Sequence, residues 1–314
     1  MSGMLSVSMR AMNTDCLLLL NPGDEGQSRA ALTRAAARVA EYERTFSRFQ
    51  ADSELSHLND SPGDRIEVPR ALAALLARAL EYARITDGVF DPLVLRDLEA
   101  LGYDRTFEEV PIRLHTRRSN PAYGPSRAPV CVDAARSLVT RPAGVRIDLG
   151  GVAKGAAADA ALAELAAHRG ALVDLGGDIR ARGQPDDADG WIVGIEDPLS
   201  ADGASIGYLK LRDGAVATSS VRKRQWTCDG KTVHHVIDPR TAQPSAAGVV
   251  QCTAVTDTAE HADVAAKVGL ILGAGSLRED DRIGQALGLR GMAWAAADGS
   301  LRCTSGWKGH ALGY

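Results

Sequence analysis

The stretch Asp148-Leu149-Gly150-Gly151-Val152-Ala153-Lys154-Gly155 carries the densest chemistry in this 314-residue chain. An apolar run ends in an aspartate and two glycines, and a lysine then opens an Ala-rich helical segment. Glycines let backbone amides approach an anion closely, and a helix N-terminus adds positive partial charge. Lys154 can supply a full charge to a phosphate, and Asp148 can hold a metal or a polar hydroxyl. The spacing is neither a P-loop nor GxGxxG. A tight strand-to-helix turn with a solvated lysine would use the same residues.

Four further segments carry candidate groups. Leu175-Gly176-Gly177-Asp178 follows an apolar strand and either meets a ligand backbone-first or forms a bulged turn. Thr86-Asp87-Gly88-Val89-Phe90-Asp91-Pro92 pairs two carboxylates with an aromatic that can lie against a flat ring; it also reads as a junction between helices. In His234-His235-Val236-Ile237-Asp238-Pro239-Arg240-Thr241, strand alternation sends His235 and Ile237 to one face. One of these histidines can then face a pocket as a general base near neutral pH, or be a satisfied structural residue. Asp263 and Lys267, four apart on a helix, are by spacing alone an ordinary ion pair.

The elements that must position these groups follow from periodicity. Residues 14–20 read as a buried strand ended by Asn21-Pro22-Gly23-Asp24. Helical spacing runs from Gln27 to Phe46 and from Pro69 to Ile85, and Asp91-Pro92 reads as the cap and first residue of a helix towards Ala100. Residues 105–129 read as a surface excursion. Short strands are expected at 130–132, 137–140 and 145–149, then a helix from Gly151 to His168 closed by Gly170. Strands follow at 171–175, 191–196, 206–211, 215–218, 222–228, 232–237 and 249–255. Helices at 258–272 and 276–287 precede a hairpin turning at Asp298-Gly299. So many adjacent strands imply an α+β fold with largely antiparallel sheets and two subdomains at most.

Composition narrows the function. Lys plus Arg is 36 against 40 for Asp plus Glu, giving −4, with no long basic run, which argues against nucleic-acid or membrane-surface binding. The scattered Cys16, Cys131, Cys228, Cys252 and Cys303 form no CxxC or zinc spacing and read as reduced thiols. With neither a signal-type apolar segment nor a lipobox in the sequence as written, the reading is a soluble, cytoplasmic protein.

Taken in order, these segments resemble the ApbE family, the FAD:protein FMN transferases, from about Arg10 to Gly273. Ala11-Met12-Asn13-Thr14 resembles the opening AMGT. Phe46-Ser47-Arg48-Phe49, Asp52-Ser53-Glu54-Leu55-Ser56 and Leu58-Asn59 resemble the S-x-F/Y…SELSxLN stretch. Thr86 to Pro92 matches TDGxFDP, Asp148 to Gly155 matches DLGGxAKG, and Asp174 to Asp178 resembles NLGGD. Val216-Ala217-Thr218-Ser219 resembles VATS, and His235 to Thr241 matches HxIDPRTG. The domain implied spans residues 10–305, with 1–9 as a short extension.

The resemblance implies that FAD and Mg²⁺ are bound and that FMN passes to a Ser or Thr of an acceptor protein, with AMP released. It implies that Met12, Phe49, Phe90, Asp91 and Val236 line the FAD site, with Lys154 and the Gly150-Gly151 backbone near the pyrophosphate. It puts Asp148 where FAD and metal meet, the Gly151 carbonyl and Asp263 as metal ligands, and His235 as the base for the acceptor hydroxyl. Asp238 would fix local geometry. Three positions depart from the pattern: Asn13 and Ala242 replace glycines, and Lys267 replaces a frequent Thr. An ammonium cannot ligate Mg²⁺, so Lys267 either stands in for the ion beside Asp263 or points away. The alternative functions are an FAD-binding protein and an FAD pyrophosphatase.

Overall fold

Cys16, Leu18 and Leu20 are buried while their neighbours are half-buried or exposed, the period-two burial of a strand with one face on the core. The same pattern recurs in Trp191–Glu196, whereas Val249–Thr256 is buried throughout, as a central strand must be. The computed structural model describes residues 3–110, 113–114, 129–185 and 188–312.

In chain order the elements begin with β1 (Leu5–Ala11), β2 (Thr14–Leu20), α1 (Glu25–Phe46), α2 (Glu54–Asp60), β3 (Arg65–Glu67), α3 (Arg70–Ile85) and α4 (Leu95–Ala100). Next come β4 (Arg113–Leu114), β5 (Cys131–Asp133), β6 (Leu138–Thr140), α5 (Ala153–Glu164), β7 (Gly170–Leu175), β8 (Ile179–Gly183) and β9 (Trp191–Glu196). Then follow β10 (Ser205–Leu211), β11 (Gly214–Ser220), β12 (Gln225–Cys228), β13 (Lys231–His234), β14 (Ile237–Asp238) and β15 (Gln243–Pro244). The last are β16 (Val249–Thr256), α6 (Ala259–Leu272), α7 (Arg282–Ala286), β17 (Gly291–Ala296) and β18 (Leu301–Cys303).

The chain divides into two units. The first comprises Met1–Tyr42, Val152–Ser220 and Ala247–Tyr314. It is built on an 8-stranded antiparallel sheet in the order β1-β2-β7-β8-β11-β16-β17-β18. The β9–β10 hairpin lays Trp191, Val193, Ile195, Leu209 and Leu211 against sheet residues Leu172, Val216 and Val255. Helices α5 and α6 approach so closely that a Cβ on Gly155 would lie 2.2 Å from the Ala259 carbonyl oxygen, so this glycine serves helix packing.

The second unit comprises Glu43–Gly151 and Val221–Ala246. It contains helices α2 to α4 and the small sheets β3-β6-β5, β13-β12-β4 and β14-β15. Its aromatic core gathers Tyr103, Trp226, Val233 and Ile237 with Phe49 and Phe107 packed on them.

The α+β architecture expected from the strand pattern is the one observed. Several local expectations are corrected. Residues 145–149 join no sheet: the backbone N–H and C=O of Ile147 bond instead to the Asn59 side chain, at 2.7 and 2.8 Å. Asp91 caps no helix; its Oδ1 accepts from Leu93 N at 2.8 Å, and α4 starts at Leu95. Pro69 is the cap residue of α3, not its first turn, and Gly170 opens β7 instead of closing a helix. The strand expected at 232–237 breaks at His235, and α7 is a short piece of the helix expected at 276–287. The excursion at 105–129 falls mostly outside the described residues. Strands β1, β3 and β8 and helix α2 lie outside the elements that periodicity gives; β1 leads into β2 through the two-residue turn Met12-Asn13.

Candidate functional site

The chain leaves the second unit at Gly151 and re-enters the first at Val152, so the expected site residues form two clusters. In the second unit, three distant segments converge on Asp148. Ser53 caps α2 by accepting from Ser56 N at 3.0 Å, and its own hydroxyl donates to the Ser47 carbonyl. Ser47 Oγ accepts from Phe49 N at 3.2 Å, which fixes the short loop carrying Arg48 and Phe49. Asn59, at the other end of α2, holds Ile147, and Asp148 N donates to the Pro92 carbonyl at 2.8 Å.

Asp148 itself accepts from Gly150 N at 2.7 Å through Oδ1, while Oδ2 lies 3.4 Å from Arg48 Nε. Arg48 is 6% exposed and donates to the Tyr103 carbonyl at 2.9 Å; its guanidinium lies over the rings of Phe49 (4.1 Å) and Tyr103 (4.5 Å). Such stacking suits a weakly hydrated planar cation. Tyr103 is also the hub for Phe49, Trp226 and His235, at centroid distances of 5.7, 5.5 and 6.3 Å. Burial pushes the Tyr103 phenol up.

His234 and His235 divide the two alternatives raised by the sequence. His234 bonds through Nε2 to the Ser245 carbonyl and through Nδ1 to Val236 N, and burial lowers its pKa; it is a structural histidine. His235 sits at the bend after β13, edge-on to Tyr103. Val236 is buried, with N–H and C=O both engaged. Asp238 holds Arg240 through both carboxylate oxygens. Phe90 is buried edge-on against Tyr82, 6.2 Å away, so its ring is already packed. Asp91 is pushed up to about 6, mostly by burial and further by the Asp97 charge.

In the first unit, Met12 and Asn13 form a two-residue turn with φ of 52° and 58°. Asn tolerates this left-handed backbone well, which explains a glycine at that position in the family pattern; Ala242, at φ 55°, occupies a second such position. The Gly176-Gly177 turn lies beside Thr14: a Cβ on Gly176 would meet Thr14 Oγ1 at 1.9 Å. Gly177 N donates to Asp174 Oδ1 at 2.8 Å.

Lys154 donates to Asp178, whose side chain is 2% exposed. Asp263 is buried nearby; it accepts from Gly155 N, and its Oδ2 has no hydrogen-bond partner. Burial, then the Asp178 charge, push Asp263 up to about 7, opposed by Lys154 and Lys267. An unmatched buried carboxylate oxygen suits a hard cation. One turn further along, however, Lys267 brings an ammonium where an oxygen would be needed. Among the described residues no three His, Cys, Asp or Glu side chains gather as a metal group. Lys267, a cation and not an oxygen donor, stands four residues on from Asp263 in α6. The positive charge facing Asp178 and Asp263 is that of Lys154 and Lys267.

Sequence reasoning passed over Arg48 and Tyr103, because neither carries a local signal: one sits in a loop, the other three residues after α4. Asp178 is legible in sequence as part of the Gly-Gly segment and of the NLGGD resemblance, but not as a partner of Lys154. Its spacing of 24 residues from Lys154 hid the pair.

The fold is α+β, with a Gly-Gly turn entering α5 and a buried acid–lysine cluster at that helix. The ApbE family model matches residues 11–279. An FAD:protein FMN transferase of Treponema pallidum is 33% identical over 259 residues, covering 78% of this chain and 72% of that protein. One from Rhodobacter capsulatus is 32% identical over 288 residues, 89% of this chain but only 53% of that protein. The crystal structure of the ApbE protein of Thermotoga maritima superposes with a TM-score of 0.84 at 26% identity, over 99% of this chain and 100% of that one. The flavin transferase ApbE of Vibrio cholerae shares the fold at TM-score 0.75 and 20% identity, over 98% and 99% of the two chains. The chain belongs to the ApbE family.

Proposed function

We propose that this chain is an FAD:protein FMN transferase. The acceptor hydroxyl oxygen attacks the FMN phosphorus of FAD, the pyrophosphate P–O bond to AMP breaks, and AMP departs with the bridging oxygen. The product is a phosphoester between flavin and a Ser or Thr of the acceptor. Such a reaction needs positioning and stabilisation of developing negative charge more than covalent help from the protein.

The observation that carries this reading is the family match over residues 11–279 together with the 33% identical FMN transferase. The geometry supports a division of labour. Asp148, Gly150 and Gly151 form the turn facing FAD, tied down by Arg48, Asn59 and Pro92. In the second unit Phe49 and Asp91 are assigned to the cofactor, with the buried Phe90 and Val236 behind that role; in the first unit Met12 is assigned to it. His235, unlike His234, takes the hydroxyl proton. Lys154 meets the pyrophosphate, exchanging part of its bond to Asp178 for one to phosphate.

Lys267 provides, beside Asp263, charge that a metal would otherwise bring; no step is assigned to Mg²⁺. Lys267→Thr should convert transfer that is weakly dependent on Mg²⁺ into transfer that requires it, and should create Mn²⁺ binding detectable by electron paramagnetic resonance. An unchanged metal response and no bound Mn²⁺ would sink the substitution idea. Asp148→Ala should abolish covalent flavin on an acceptor peptide while leaving the thermal unfolding transition cooperative; full activity would refute its assignment. The fold supplies no helix long and apolar enough to cross a membrane among the described residues. Five free cysteines, three of them buried, support placing the activity in the cytoplasm.

A further inference from the structure

Lys154, Asp178, Asp263 and Lys267 reach their cluster from three elements of the first unit: α5, the start of β8, and α6. A single carboxylate outside the cluster joins all three. Asp159, on α5, accepts from Ala259 N and Glu260 N through its two oxygens, each at 2.9 Å. Its Oδ1 also lies 3.1 Å from Nε of Arg180, on β8. Arg180 is itself fixed, donating through Nη1 to the Ala181 and Gly214 carbonyls at 2.6 and 2.8 Å. Ile179 and Ala181 pack with the β9–β10 hairpin, so strand alternation turns Arg180, like Asp178 before it, to the face that bears the helices.

The first turn of a helix has no acceptors of its own for its N–H groups. In α6 they are supplied by Asp159 for Ala259 and Glu260, and by the Thr258 hydroxyl for His261. A carboxylate in that place also meets the positive end of the helix dipole. Asp159 and Gly155 stand four apart and share one face of α5. Together they grip one residue. Asp159 takes the Ala259 N–H, and Gly155 leaves room for the Ala259 carbonyl oxygen, which a Cβ would meet at 2.2 Å. One turn along α6 from Ala259, Asp263 accepts from Gly155 N, and Lys267 follows after a further turn. The contacts that set the α5–α6 register therefore also set where Asp263 and Lys267 stand.

We propose that Asp159 is a positioning residue for flavin transfer. It acts through the elements it joins and not on FAD itself. It holds α6 against α5 and, through Arg180, holds both against β8, so that Lys154 and Lys267 face Asp178 and Asp263. The assignment rests on the transferase reading above, in which Lys154 meets the pyrophosphate. Misplacing a group by about 1 Å from a distance can cost on the order of 100-fold in rate. Loss of the Asp159 carboxylate should therefore loosen the cluster and slow transfer while the helices themselves stay folded.

Asp159→Ala in the full chain tests this with two readouts. Hydrogen exchange followed by NMR should show the Gly155 amide, which donates to Asp263, exchanging about tenfold faster. Amides inside the same helices, those of Ala161 and Val268, should keep their protection. Flavin transfer to an acceptor peptide should lose about 10- to 100-fold in kcat, with KM for the peptide near that of the unmodified chain. Asp159→Asn keeps an oxygen for the α6 amides but no charge for Arg180, so both changes should be smaller; it also carries the test if the alanine variant folds poorly. An unchanged Gly155 amide, equal loosening of Gly155, Ala161 and Val268, or a loosened Gly155 with undiminished kcat would each overturn the proposal. An unmodified chain that transfers no flavin would sink the transferase reading instead, and the exchange data would still decide whether Asp159 sets the cluster.

Discussion

The two clusters hold their carboxylates by opposite means. Around Asp148 the ties are mostly backbone groups and neutral side chains: Asn59 on Ile147, Pro92 on Asp148 N, and Gly150 N on Asp148 Oδ1. Around Asp178 and Asp263 the ties are charges, two carboxylates facing Lys154 and Lys267 in a buried setting. The first arrangement fixes geometry mainly through hydrogen bonds, with Arg48 as its charged member. The second buries charge that is balanced only by the opposite charge beside it. Hydrogen-bond geometry thus dominates in one unit, where Arg48 adds a charge 3.4 Å from Asp148 Oδ2, and paired charge dominates in the other.

The largest test of that contrast is Lys154→Met. Removing one partner of a buried pair leaves Asp178 with only the Lys267 charge to oppose it and should cost about 3 kcal/mol in chemical denaturation. Adding Asp178→Asn should recover most of the loss. If Lys154→Met is neutral, the ion pair is not what balances this cluster. Next comes Asn59→Ala, which strands two buried backbone groups of Ile147 and should cost about 2 kcal/mol. The same substitution should also raise the mobility of residues 146–150 in hydrogen exchange. Loss of stability without local loosening would separate Asn59 from the site.

A smaller effect concerns pH. Burial raises Asp91 to about 6 in the folded chain, above its unfolded value near the usual carboxylate range. A raised acid binds its proton more tightly when folded, so its stabilising contribution is present below about pH 4 and is lost as pH rises through about 6. Urea midpoints of the native chain, compared with Asp91→Asn, should therefore fall across that window. Parallel curves would place Asp91 in water. Smallest, and of opposite sign, is Ala242→Gly, which relieves a left-handed alanine and should stabilise by about 1 kcal/mol. A loss of stability there would show that the turn after Asp238 is not strained.

The parts of this fold that sequence reveals are those whose stabilisation is periodic. The stripe in α1, the run of α3 and the continuous apolar strand β16 each bury a face whose spacing is written in adjacent residues. Residues 145–149 misled because their apolar alternation is real, but their hydrogen bonds go to a side chain 88 positions away. The strand through His235 misled for a related reason: His234 folds back on Val236 and Ser245 and ends the ladder. In the candidate site, motif order brought Asp148, Lys154 and His235 into view. Arg48, Tyr103 and the Lys154–Asp178 pair stayed hidden because what makes them significant is burial and stacking, which no local spacing encodes.

The most direct measurement is the balance of products when the purified chain is given FAD, Mg²⁺ and a peptide bearing a flavinylation-type Ser or Thr. The account predicts that peptide mass rises by a phosphoester-linked FMN and that AMP appears in equal amount. His235→Ala should remove both products while FAD still binds. Free FMN and AMP with an unmodified peptide would make the chain a pyrophosphatase, and unchanged FAD would make it a binder. Either result would contradict the central claim.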